Sequence, residues 1–356
     1  MTDNKNKIYD LINKLYIEHD LPDEDLLFIL DNINEKEKEY LFSKSYETRN
    51  RYYGKNVYLR GLIEFTNYCK RECNYCGINA FNKKANRYRL DKEEIIETCK
   101  MGKELGFSTF VLQGGEDVYF TDEIMTDIIK TIKEKIPGCA VTISIGEKSF
   151  ESYKKLKKSG ADRYLLRHET ANPDKYRELH PLSESRTRVE CLNNLKKIGF
   201  QTGAGFMVGL PNYTNSDYVK DLRFIKNLQP EMVGMGPFIP HKDTNMRDCK
   251  PGDIDTTVLL LSLIRLLLPK VLLPATTALA SIDENGRKKG LDVGANVIMP
   301  NLTPVNKRGS YSLYNNKKSS GSESAEALNS IKKELESYGY ICNMSRGDSK
   351  MCEEFN

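Results

Sequence analysis

The sequence predicts an α/β protein built as a closed (β/α)8 TIM barrel, with an N-terminal helical cap and a C-terminal helical tail. Three observations carry that prediction. From residue 57 onward, short apolar or β-branched segments alternate with amphipathic, charged ones, as parallel β/α units require. There are eight such strand candidates over about 245 residues, close to the roughly 250 of such a barrel. Several run into glycine or polar residues, which a barrel gathers at the C-terminal face of its strands. A doubly wound open sheet is the competing architecture, and the count of eight favours closure.

Residues 1–50 read as helices. LPDEDLLFILD places Pro22 and acidic residues in a first turn, ahead of Leu26, Leu27, Ile29 and Leu30. VYLRGLIEFTN (57–67) is the first strand candidate. DKEEIIETCKMGKELG (91–106) is a helix ending at Gly106. STFVLQGGE (108–116) precedes a helix over 121–138, with Thr121 as N-cap and Glu123 in its first turn. AVTISIGE (140–147) precedes KSFESYKKLKKSG (148–160), and DRYLLRHET (162–170) precedes a helix over 184–198. QTGAGFMVGLP (201–211) leads to a helix over 216–228, and EMVGMGPFIP (231–240) to one over 253–268. VLLPATTA (271–278) and GANVIMPN (294–301) complete the eight. NNKKSSGSESAE (315–326) reads as a loop and ALNSIKKELESYG (327–339) as a last amphipathic helix. The expected organisation is a helical extension over 1–50, the barrel over 51–314, and a loop and helix over 315–356.

Composition narrows the function classes. The chain has 356 residues, 39% of them hydrophobic and 29% charged, which suffices for a large core and a solvated surface. A net charge of +4, without a basic stripe interleaved with aromatics, argues against nucleic acid. No apolar run reaches the roughly 20 residues that span a bilayer, and the start lacks a signal-type apolar core. Nine cysteines, six of them scattered, do not resemble a disulfide scaffold and suit a reducing cytoplasm.

The other three cysteines form the most specific feature. NYCKRECNYCGI (67–78) holds Cys69, Cys73 and Cys76 in a C-x3-C-x2-C run just after the first strand. Tetrahedral structural zinc takes four ligands, whereas three thiolates fit an iron–sulfur cluster with one iron left open. A zinc loop or three buried free thiols is the plainer alternative. Other strand ends add candidates. LQGGED offers Gly114, Gly115 and Glu116 for close backbone approach, with an ordinary turn as the bland reading. SIGE (144–147) follows the third strand, with Thr142 two residues before Ser144; hydroxyls at a strand end can orient a ligand's ribose or carboxylate, and a helix N-cap before KSFESYKKL is the bland reading, compatible with the first. In RHET, Arg167 and Glu169 share one strand face, where inward charges need a ligand or each other. Arg188 lies on the next helix. Met207 sits between Gly205 and Gly209, and Thr276 and Thr277 present adjacent hydroxyls for an anion or a helix cap. His168, His180 and His241 show no i, i+4 pairing and read as structural. There is no G-x-S-x-G elbow and no Walker loop.

The C-x3-C-x2-C run, with Tyr75 before its third cysteine, resembles the radical S-adenosylmethionine (SAM) superfamily. RGLIEFTNYC, ELGFSTFVLQGGED, LLRHETANPDKYRELHP, GFMVGLP, GMGPFIPHKDT, LPATTAL and GANVIMPNLTP resemble its HydE subgroup, the maturases of FeFe-hydrogenase. That likeness outweighs the one to biotin synthase, a related barrel. The resemblance implies one 4Fe–4S cluster on Cys69, Cys73 and Cys76, whose open iron is chelated by SAM. It implies reductive cleavage of SAM to a 5′-deoxyadenosyl radical. The implied substrate is a small iron complex carrying carbonyl, cyanide and cysteine ligands, handled during assembly of the hydrogenase subcluster. Tyr75, Gly115, Glu116, Thr142, Ser144, Glu169, Arg188 and Met207 are implied near SAM. Arg60, Gln113, Arg167, Thr276, Thr277, Met299 and Tyr314 are implied at the substrate, with Arg167 and Tyr314 catalytic. Transient contacts with other hydrogenase maturases and an electron donor follow from the same likeness. Some members carry three further cysteines near the C-terminus for a second cluster, and NNKKSSGSESAE has none. Sulfur insertion or methylation of a small organic substrate, and non-enzymatic carriage of an iron fragment, are the rival functions.

Overall fold

The computed structural model describes residues 2–318 and 324–355. Its centre is an eight-stranded parallel barrel, and each strand falls where the sequence placed a candidate. The first runs as Asn56–Leu59 and Gly61–Thr66, interrupted at Arg60. Thr109–Gly114, Ala140–Ser144, Arg163–Leu165, Gln201–Ala204 and Met232–Val233 follow in spatial order, each pairing parallel with the one before. Single bridges carry the sheet onward, from Met232 to Leu272 and from Pro274 to Val297. Val297–Ile298 then pairs with Tyr58–Leu59, and Asn301 bridges Leu62. The sheet closes on itself, which excludes the open doubly wound alternative.

Period-two alternation divides the strand residues between two faces. Leu59, Ile63, Phe65, Phe110, Leu112 and Ile143 join the main apolar core with helix residues such as Ile95, Ile128 and Ile132. Arg60, Val111, Gln113, Thr142, Leu165 and Arg167 face the barrel interior and line one cavity there.

The surrounding helices start and stop on local signals. Lys92–Glu104 begins with a capping box between Asp91 and Glu94. Asp122–Lys135 begins at Thr121, whose hydroxyl accepts from the Ile124 N–H. Phe150–Lys158 begins at Ser149 rather than at Ser144. Ser185–Ile198 ends on Gly199 in the left-handed conformation. Ile254–Leu267 is buried on all sides from Thr257 onward, as its largely apolar composition demands, and its Arg265 is satisfied by the carbonyls of Gly294, Pro269 and Val271. It lies between the barrel and Glu35–Tyr53, the third of three N-terminal helices after Thr2–Glu18 and Asp23–Asn32.

The C-terminal tail contains an element the sequence did not announce. After helix Leu328–Ser337, strand Ile341–Asn343 pairs parallel with Asn56–Tyr58. The chain then crosses the N-terminal end of the barrel. There the fully buried Arg163 meets the Asp348 carboxylate at 2.6 Å and donates to the Arg346 carbonyl at 2.7 Å. Arg60 donates to the Gly347 carbonyl at 3.2 Å. The tail therefore floors the barrel opposite the cysteine loop. Among the described residues no helix is long and apolar enough to cross a membrane.

Candidate active site

The three cysteines lie on the loop that leaves the first strand, at the C-terminal mouth of the barrel. Side chains at the loop's base fix it. Asn67 donates to the carbonyls of Asn86 and Ser310 at 2.8 and 2.7 Å. Arg87 donates to the carbonyls of Ile78 at 2.8 Å and Asn79 at 2.6 Å. The glycine loop of the second strand lies directly against it. At Gly115 a Cβ would stand 2.2 Å from the Tyr68 carbonyl oxygen and 2.7 Å from the Cys69 Cβ. Only glycine permits that approach. It brings the Glu116 N–H within 3.4 Å of the Cys69 sulfur, which also accepts from the Arg71 N–H at 3.4 Å.

All three thiols are free. Burial pushes Cys76 up to about 12, and burial followed by the neighbouring Cys76 and Cys69 raises Cys73 well above its ordinary value. Burial likewise raises Cys69. Neutral thiols are the resting form, and iron binding must displace their protons. Among the described residues no three His, Cys, Asp or Glu side chains converge on a single metal ion. Three thiols on one loop, one of them facing two backbone N–H donors, fit an iron–sulfur cluster with one iron left open.

An alternating chain of charges lines the mouth beside this loop. Arg71, from inside the cysteine motif, reaches Glu116 at 2.7 Å and Glu147 at 2.6 Å. Arg188 reaches Glu147 at 2.6 Å and donates to the Arg167 carbonyl at 2.7 Å. Arg167 pairs with Glu169 at 2.5 Å. Gly146, at φ +77°, passes so close to Glu116 that a Cβ would stand 2.2 Å from its carboxylate. Burial alone would raise Glu147, but Arg188 and then Arg71 outweigh it and hold the carboxyl below its usual range. Arg167 does the same for buried Glu169. Both are therefore anions at neutral pH. Glu169 also holds a left-handed backbone, φ +69°, which is strained for a non-glycine residue.

The structure thus brings Tyr75, Gly115, Glu116, Glu169, Arg188 and Met207 together around the cysteine loop. Tyr75 packs with Met207, Leu210 and Phe238. Ser144 ends the third strand, half-buried. Thr142 is placed one layer deeper, because two residues along a strand return to the same face at a lower level.

That deeper layer is a cavity of about 140 Å³ inside the barrel, lined by Arg60, Gln113, Thr142, Arg167, Thr276 and Met299 among apolar neighbours. Three buried polar atoms on its wall have no hydrogen-bond partner: Arg60 Nε, Thr142 Oγ1 and Thr276 Oγ1. Thr276 stands at the N-cap of Thr277–Ile282 but makes no capping bond, so capping does not account for it. Thr277 and Tyr314 lie outside the cavity wall. Arg167 belongs to both levels, lining the cavity and closing the charged chain above it.

Sequence reasoning missed several participants. Arg71 carries no signal of its own inside the cysteine motif. Glu147 was only the last letter of SIGE. Glu64, with no exposed surface, holds Asn301 at 2.9 Å and Lys317 at 2.7 Å. His168 and His241 are structural, bound to Asp221 and Ser312 respectively. His180 is not accounted for that way, since its Nδ1 lies 3.1 Å from the Cys73 sulfur.

Comparison with known proteins bears on this arrangement. The profile of the radical SAM superfamily matches residues 63–225. The chain is 49% identical over 276 residues to the FeFe hydrogenase maturase subunit HydE of Thermotoga maritima, spanning 78% of this chain and 79% of that one. It is 32% identical over 280 residues to the 3-methylornithine synthase of Methanosarcina acetivorans, spanning 78% and 79%. The crystal structure of a methylornithine synthase superposes with a TM-score of 0.82 at 27% identity, covering 94% of this chain and 97% of that one.

Proposed function

The chain belongs to the radical SAM superfamily, in the HydE group of hydrogenase maturases, and from that premise we propose that its interior cavity takes a small anionic iron complex carrying carbonyl, cyanide and cysteine ligands. It is a radical SAM enzyme, and its cofactors are a 4Fe–4S cluster and SAM. When bound, the cluster supplies the electron that cleaves SAM to a 5′-deoxyadenosyl radical. Cys69, Cys73 and Cys76 would hold it.

The protein's own groups then bind and orient. The Glu116 carboxylate, next to Gly115 on the loop that packs against the cysteines, suits the cationic amino group of SAM. The Arg188 guanidinium suits its carboxylate. Tyr75 and Met207 offer an apolar surface for the adenine, with Ser144 at the rim. Below them, Arg167 orients the iron complex from the level where mouth and cavity meet. Gln113, Met299 and the Thr276 hydroxyl complete its surround. Thr277 and Tyr314 would act from just outside the wall.

The observation that carries this reading is the trio of unpartnered atoms on one cavity. A buried polar group without a partner costs free energy, and three of them on residues that line one space favour a polar ligand there. A guanidinium and two hydroxyl donors favour an anion. The tail-sealed floor leaves the mouth as the entry, so the ligand and the radical source share one route. Residues 51–314 act as the catalytic unit in this reading, with 1–50 and 315–356 closing it from outside. A cytoplasmic site of action, an electron donor and contacts with other hydrogenase maturases belong to the same proposal.

The test is anaerobic. The chain is reconstituted with iron and sulfide, reduced, and given SAM with and without the iron complex. Product from the complex, formed in step with 5′-deoxyadenosine, is expected. 5′-Deoxyadenosine that forms at the same rate with or without the complex, leaving the complex unchanged, would overturn the substrate assignment.

A further inference from the structure

We infer that His180 is a positioning residue that donates a hydrogen bond from Nδ1 to the cluster-bound sulfur of Cys73 and thereby raises the cluster's reduction potential. The inference rests on the cysteine loop as the holder of the cluster.

The geometry is specific. His180 is 3% exposed, and its Nδ1 lies 3.1 Å from the Cys73 sulfur. Its ring stacks on Tyr176, with centroids 4.5 Å apart at 27°, and meets Tyr75 edge-on at 5.6 Å. The two tyrosines leave the imidazole little freedom to turn. Its backbone is fixed as well. The His180 N–H donates to the Tyr176 carbonyl at 2.8 Å, closing the helix Pro173–Leu179. Asn74, next to Cys73, donates its backbone N–H to the Leu179 carbonyl at 2.9 Å and its side chain to the Glu178 carbonyl at 2.7 Å. The helix end and the cysteine loop are thus locked together over the ring–sulfur contact.

The tautomer follows from what surrounds the ring. A thiolate bound to iron has no proton and can only accept. The other ring nitrogen, Nε2, is buried with no partner. The proton therefore belongs on Nδ1, where it is used, and Nε2 carries a bare lone pair.

The consequence has a definite sign. A hydrogen bond to a ligating sulfur stabilises the more negative, reduced cluster, so it raises the potential. His180 also stands beside a groove lined by Lys70, Arg71, Glu72, Cys73 and Leu182 that leads in from solvent. Admitting water there would raise the potential too. Loss of the donor and loss of the barrier thus act in opposite directions, and a redox titration separates them.

The experiment uses the full chain, reconstituted and reduced. With 15N-labelled histidine, pulsed EPR of the unaltered protein should show a weak nitrogen coupling to the cluster, which H180N should abolish. H180F keeps a ring and removes the donor, so its potential should fall. H180N places an amide N–H near the position of Nδ1, so its potential should return toward the original. Absence of any histidine coupling in the unaltered, fully loaded protein would overturn the inference, whether or not H180F folds. So would an H180F potential equal to or above the original at full iron content. If the unaltered chain takes up no iron, the cysteine assignment itself falls, and iron analysis tells that outcome apart from the others.

Discussion

Replacing Thr142 or Thr276 by valine should leave the free enzyme as stable as before, or more so, while weakening its hold on the substrate. Both hydroxyls are buried and unpartnered on the cavity wall. Valine keeps the shape and removes a polar group whose uncompensated burial costs about 1–3 kcal/mol. Water lowers that gain, because a cavity of this size admits a few molecules. The expected change is therefore from zero to about 1 kcal/mol of stabilisation per site. Neither site gives up another role: Thr142 lies in a strand, where valine is favoured, and Thr276 makes no cap bond. Binding moves the other way. A hydroxyl bonded to a charged ligand contributes about 1.5–3 kcal/mol, so each loss should weaken substrate binding roughly 10- to 150-fold. Urea unfolding of the free protein gives the first quantity. KM for the iron complex, at equal cluster content, gives the second. Destabilisation beyond about 1 kcal/mol would mean that the hydroxyl already has a protein partner. An unchanged KM in both variants would mean that this cavity is not where the complex binds.

Cys76→Ser should lower bound iron after reconstitution and remove any SAM-dependent change in the EPR signal; iron at the unaltered level would sink the ligand set. Asp117 pins the glycine loop by accepting from Arg89 at 2.7 and 2.9 Å and from Thr66 at 2.7 Å. Burial opposes these bonds, yet Arg89 and Thr66 hold its carboxyl below the ordinary range. Its stabilisation is thus complete above the unfolded value of about 4 and is lost as pH falls through the lower folded value. Asp117→Asn should cost about 1–3 kcal/mol near neutral pH, and the gap to the unaltered chain should narrow in acid; a constant gap down to about pH 3 contradicts the assignment. Lys317→Met leaves the fully buried Glu64 without its cation, which should cost about 3–5 kcal/mol, whereas Lys317→Met with Glu64→Gln should recover most of it. Equal unfolding midpoints for the single and double variants would show that the pair is not coupled.

Which parts of this were legible in the sequence has a physical logic. Each barrel strand is a short apolar run bounded by glycine or polar residues, and each helix carries its own cap, as at Thr121 and Gly199. Those signals are local, so they can be read. Depth is not local. Period-two alternation says that Thr142 and Ser144 share a face, but not that one lies in the cavity and the other at the rim. The tail strand Ile341–Asn343 is three residues long with an exposed isoleucine, and backbone pairing to residues 56–58 creates it. His180 follows a helix of only seven residues, too short to show a period, and its partner sulfur is 107 positions away. The partners of Arg71, Glu116 and Glu147, lie 45 and 76 positions away in sequence, so nothing local to the cysteine motif announces the ion pairs.

The floor makes the same point in energetic form and yields a last prediction. If the cavity works as a closed end beneath the mouth, its seal matters to the reaction and not only to folding. The seal is the tail. Arg60, which lines the cavity, donates to the Gly347 carbonyl and leaves Nε buried without a partner. Arg163 below it is held by Asp348 and the Arg346 carbonyl. Deleting residues 344–356 removes all three acceptors and opens the barrel at both ends. Stability must be measured first, because an unpaired buried arginine costs about 3–5 kcal/mol, less where water enters. In the folded fraction, the charged chain from Glu116 to Glu169 is intact, so SAM cleavage should persist. The iron complex, in contrast, loses a guanidinium held in place and gains competing water. Product formed per 5′-deoxyadenosine should therefore fall while 5′-deoxyadenosine itself continues to form. If the ratio is unchanged in the truncated chain, the floor serves only the fold, and the ligand must sit higher in the barrel than Arg60 can reach.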